Sequence, residues 1–67
     1  MYYRLHIETG IATDDPREVV TPEIKGARDA ARSAKLIYQA LRSAGVRCTI
    51  LRRDRSGRGR LLQPVVL

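Results

Sequence analysis

Tryptophan, phenylalanine and asparagine are absent from this chain, and cysteine and histidine occur once each, as Cys48 and His6. One cysteine excludes an intramolecular disulfide, and one cysteine with one histidine falls short of the four-ligand cluster of a structural zinc site. No apolar run approaches the roughly 20 residues of a membrane span, and the opening MYYRLHIETG carries Arg4 where a signal peptide would need an unbroken apolar core. The expectation is a cytoplasmic protein with no membrane partner.

Catalytic constellations are missing as well. His6 is the only conventional base near neutral pH, and strand alternation turns Cys48 toward the core, where a small buried thiol is a packing residue. Asp14 and Asp15 supply too few ligands for a metal site, and no glycine loop of the strand-to-helix, phosphate-cradling kind occurs. No enzymatic activity, cofactor or metal is expected. The 67 residues hold one domain, 1–67, whose small core needs a supplement. With disulfides and metals excluded, that supplement is a partner chain, and a homo-oligomer is expected.

What the chain has in excess is positive charge, +6 overall and unevenly placed. Residues 1–23 carry two basic against five acidic side chains, a net of −3, whereas residues 24–67 carry eleven against two, a net of +9. A one-signed region attracts polyanions.

Periodicity supplies the fold. In YYRLHIET, Tyr3, Leu5, Ile7 and Thr9 alternate with Tyr2, Arg4, His6 and Glu8, the pattern of a half-buried strand that Gly10 ends. Residues 11–20 read as a loop, with Glu18, Val19 and Val20 available for a short extended piece. The segment from Thr21 to Gly45 reads as a helix, capped by Thr21, with Pro22 in its first turn, Glu23 at the positive end of its dipole and Gly45 at its stop. Its core stripe is Ala27, Ala30, Ala31, Ala34, Ile37, Tyr38 and Leu41. A second strand follows, with Val46, Cys48 and Ile50 inward and Arg47, Thr49 and Leu51 outward. After the turn Asp54-Arg55-Ser56-Gly57, RLLQPVVL makes a third, edge strand carrying Pro64.

The expected architecture is therefore α+β in the order β-α-β-β, a three-stranded sheet with one long helix on one face. A parallel pairing of the first two strands would require a right-handed crossover. The uncovered sheet face would expose Tyr2 and Leu51, together with either Leu62 and Val66 or Leu61, Val65 and Leu67. Such a half-apolar face is a natural interface for self-association.

The functional expectation centres on RRDRSGRGR, a hairpin tip carrying Arg52, Arg53, Arg55, Arg58 and Arg60. Guanidinium forks match phosphate oxygens in pairs. Lys25, Arg28, Arg32, Lys35 and Arg42 line one flank of the helix and add a basic stripe. With no asparagine and few aromatics, the composition favours nucleic-acid backbone over base reading, on DNA or RNA. The alternative is a protein-interaction module, such as a small phage or mobile-element accessory or inhibitor protein, that docks on an acidic protein partner or assembles through its open face.

Overall fold

The computed structural model describes residues 1–9 and 17–62. Its elements are β1 (Tyr2–Thr9), β2 (Arg17–Val20), β3 (Ile24–Lys25), α1 (Ala27–Ser43), β4 (Cys48–Asp54) and β5 (Gly59–Leu62). The sheet is antiparallel throughout, in the order β2-β1-β4-β5, with β3 also paired to β1. The domain is α+β with one helix, but the sheet has five strands rather than three, and the element order differs from the expected β-α-β-β.

The first strand behaves as its alternation requires. Tyr3, Leu5 and Ile7 are buried, Leu5 completely, and they form the core with Ala30, Ala34 and Ile50. β1 pairs along its length with β4, from Tyr3 opposite Asp54 to Thr9 opposite Cys48. That pairing is antiparallel, so the condition for a right-handed crossover between these two strands is not met. The strands that α1 connects are β3 and β4, which flank β1 and both run opposite to it.

The larger correction concerns residues 21–26. Thr21 does not cap a helix, because the sheet engages it first. Its N–H donates to the Leu5 carbonyl at 3.0 Å, and its Oγ1 accepts the Leu5 N–H at 3.0 Å while donating to the Pro22 carbonyl. Pro22 has no N–H for the ladder, which separates β2 from β3 on the same edge of β1. Ile24 then pairs with Tyr3 and packs against the core. Burying Ile24 and satisfying the edge of β1 outweigh the local capping preference. The chain enters α1 through Gly26 at φ 88°, a conformation that favours glycine, with the Gly26 N–H bound to the Met1 carbonyl at 2.8 Å.

The helix stops where expected. Gly45 has φ 76°, its N–H donates to the Arg42 carbonyl, and the Val46 N–H donates to the Leu41 carbonyl, the paired bonds of a Schellman ending. The core stripe is narrower than expected. Ala30 and Ala34 are buried and Ile37, Tyr38 and Leu41 pack beside them, while Ala27 and Ala31 are exposed. The alanines bring α1 onto β1, β3 and β4, leaving β2 and β5 at the margins.

Cys48 is half-buried on the helix side, where desolvation pushes its thiol pKa up. β5 corrects one interface residue: Leu62 lies opposite Ile50 and packs on the core, so it faces the helix, whereas Leu61 lies opposite Leu51 on the open face. Leu62 is displaced from the open face because register, not composition, decides which alternate set of β5 turns inward. Val66, with Pro64, Val65 and Leu67, lies outside the described residues, as do Gly10 and Asp14 to Pro16.

Candidate nucleic-acid interface

The hairpin tip is ordered by Asp54. Its Oδ1 accepts the Ser56 N–H at 2.9 Å, the Ser56 hydroxyl at 2.6 Å and the Arg58 N–H at 3.0 Å. These bonds, led by the Ser56 hydroxyl, hold the carboxyl pKa below the usual aspartate range. The Asp54 N–H donates to the Arg58 carbonyl, closing a three-residue loop in which Gly57 has φ 90°. The turn residues read from the sequence are thus the ones that shape the tip.

The five hairpin arginines divide by environment. Arg55 is engaged within the chain: its guanidinium grips both carboxylate oxygens of Glu23, at 2.7 and 3.2 Å, and lies 4.3 Å from the centre of the Tyr2 ring. This fork holds the Glu23 pKa down and raises that of Arg55. Arg53 points to the open face and donates through Nη1 to the Gly57 carbonyl at 3.1 Å, bracing the turn. Arg52 points to the helix side, its guanidinium 4.5 Å from the centre of the Tyr3 ring. Arg58 lies in the loop near Asp54, and Arg60 is exposed on β5.

Register adds what the residue count conceals. Arg52 stands directly opposite Arg60 on the helix side, and Arg4 directly opposite Arg53 on the open side. Like charges in facing positions repel and destabilise a sheet. Among the described residues, neither Arg52 nor Arg60 has a carboxylate partner. Arg60 stays accessible because the helix does not extend over β5.

The helical cations are only partly gathered here. Gly26 binds Met1, and Tyr3 faces both Ile24 and Asp54, so α1 begins at the hairpin end of the sheet. Arg28 therefore belongs to that end. Arg32 and Lys35 follow one and two turns on, exposed, and Arg42 sits fourteen positions from Arg28, about 21 Å along the axis. Arg42 is thus separated from the hairpin cluster.

Sequence reasoning missed Arg4 and Glu23. Alternation places Arg4 on the open face, but its pairing with Arg53, 49 residues later, requires the register of two distant strands. Glu23 was assigned to a helix dipole and instead neutralises the central arginine of the tip.

Among the described residues no group of three or more His, Cys, Asp or Glu side chains is placed to hold a metal, and no helix is long and apolar enough to cross a membrane. Comparison of the chain with protein-family models, characterised proteins and solved structures gave no match, so its functional reading rests on its own residues.

Proposed function

We propose that this protein is a small, non-catalytic nucleic-acid-binding module that contacts phosphate backbone through the helix side of its arginine-rich hairpin. The observation that carries the reading is the facing pair Arg52 and Arg60, two cations in adjacent strands with no carboxylate between them. A phosphate lying across the pair accepts from both guanidinium groups and removes their repulsion. Arg58 at the loop and Arg28 at the start of α1 extend the same end of the molecule, with Arg32 and Lys35 beyond. Arg53 and Arg55 contribute to the field while shaping the tip.

Backbone contact is favoured over base reading because the aromatic platforms are occupied. Tyr3 is buried beneath Arg52, Tyr2 lies under Arg55, and Tyr38 packs against the core. Stacking on unpaired bases therefore has no free ring among the described residues. Binding through about three arginines should fall with salt at a log–log slope of about −2 to −3.

The test is titration of labelled duplex DNA and single-stranded RNA over a salt series with the wild type, Arg52→Glu/Arg60→Glu and Arg55→Glu. The double variant should lose at least tenfold in affinity, and Arg55→Glu should lose less. Equal affinity of wild type and double variant, or no binding at low salt, would overturn the reading.

A further inference from the structure

The open face of the sheet has an ordered charge pattern that the phosphate surface does not use. Alternation and register place Tyr2, Arg4, His6 and Glu8 of β1 on this face, with Glu18 and Val20 of β2, Lys25 of β3, Thr49, Leu51 and Arg53 of β4, and Leu61 of β5. Read along β1, three zones follow one another. At the hairpin end Arg4 faces Arg53. In the middle, Val20, His6, Leu51 and Leu61 form one row across four strands. At the far end Glu8 faces Glu18.

Each outer zone is a like-charge pairing, and the two are opposite in sign. His6 Nδ1 lies 3.7 Å from Glu18, and Glu8 has no ion pair among the described residues. At the two ends of the central row Val20 and Leu61 are exposed, at 41% and 48%, with His6 and Leu51 half-buried between them. Gly59, beside Arg53, keeps the row low: a Cβ there would lie 3.3 Å from the Leu51 side chain.

We infer that this face binds the same face of a second copy of the chain, with the strands of the two sheets running antiparallel about a two-fold axis through the His6–Leu51 row. The spacing gives the argument. Arg4 and Glu8 lie two residues to either side of His6, so a rotation about that row sets Arg4 of each copy over Glu8 of the other. Arg53 flanks the same carboxylate. The central rows meet with Val20, Leu51 and Leu61 as apolar contacts around His6, at the roughly 10 Å separation of packed sheets. A two-fold axis along the strands would instead stack Arg4 on the partner's Arg53 or Arg4, so charge selects the antiparallel arrangement. The molecule measures 33 × 27 × 17 Å. The dimer leaves the Arg52–Arg60 pair and the helix outward on each copy.

Charge exchange tests the geometry. The wild type should sediment as a dimer, while Arg4→Glu and Glu8→Arg should each weaken self-association at least tenfold. Mixed in equal amounts, these two variants should form a heterodimer, because each supplies the charges the other needs. The combined Arg4→Glu/Glu8→Arg chain should dimerise again. A monomeric wild type at high concentration, single variants that dimerise as the wild type does, or a folded 1:1 mixture that stays monomeric would each overturn the inference. Should a variant fail to fold, nuclear Overhauser contacts in a half-labelled wild-type sample decide. Contacts between the Leu51 or Leu61 methyls of one copy and those of the other support the arrangement, and their absence refutes it.

Discussion

The two faces of the sheet are most informative when compared at their charges. On the helix side, buried Leu5 of β1 continues across β4 and β5 as the cations Arg52 and Arg60, and Asp54 is consumed by the turn. On the open side, basic and acidic zones lie on opposite sides of the Val20–His6–Leu51–Leu61 row. A one-signed cluster with no carboxylate beside it is complemented by a polyanion. A two-signed, ordered face can be neutralised by a copy of itself. The same chain thus offers two different surfaces, and nearness to arginine does not make them equivalent.

The most damaging change should be Leu5→Ala, which removes the side chain on which both faces depend. At a fully buried site the expected loss is about 2–5 kcal/mol. A domain of this length holds only about 3–10 kcal/mol in all. Urea unfolding followed by circular dichroism would measure it, and a loss below about 1 kcal/mol would contradict the packing described.

Next in size, the faces should separate under mutation. Arg52→Glu/Arg60→Glu should abolish most nucleic-acid binding while sedimentation still shows self-association. Leu51→Lys should do the reverse, raising the dimer dissociation constant at least tenfold with hairpin binding retained by each chain. If either substitution erased both properties in a folded protein, the two surfaces would be one.

Smaller effects belong to the tip that joins the faces. Gly57→Ala places a Cβ in open space, so the strain comes from φ alone and should lower stability by about 1–2 kcal/mol. Acid should loosen the same turn late. The folded-state pKa of Asp54 is lowered, so its contribution is present above the unfolded value and is lost as pH falls through the lower, folded one. The Ser56 and Arg58 amide resonances should therefore keep their folded positions through the ordinary aspartate range and shift only below it. Their collapse well above that range would show that the carboxylate does not hold the turn.

Much of this was legible in advance. Alternation identified the buried set of β1, Gly45 marked the helix stop, and Asp54 with Gly57 marked the turn, because each of these depends on a few neighbouring residues. The start of the helix was misread at Thr21 for the complementary reason. A threonine before proline and glutamate is a good cap in isolation, yet Leu5, sixteen residues earlier, offered both an N–H and a carbonyl that the same residue could satisfy.

By itself the sequence determined the first strand, the body and end of the helix, the turn chemistry and the sign of the charge, since these follow from residue identity and short-range spacing. Tertiary structure decided which charges meet. The Arg52–Arg60 and Arg4–Arg53 pairs, the capture of Arg55 by Glu23 and the order of charge across the open face are set by strand register and by contacts between distant segments. A shift of one residue in the register of a strand turns all of that strand's side chains to the other face.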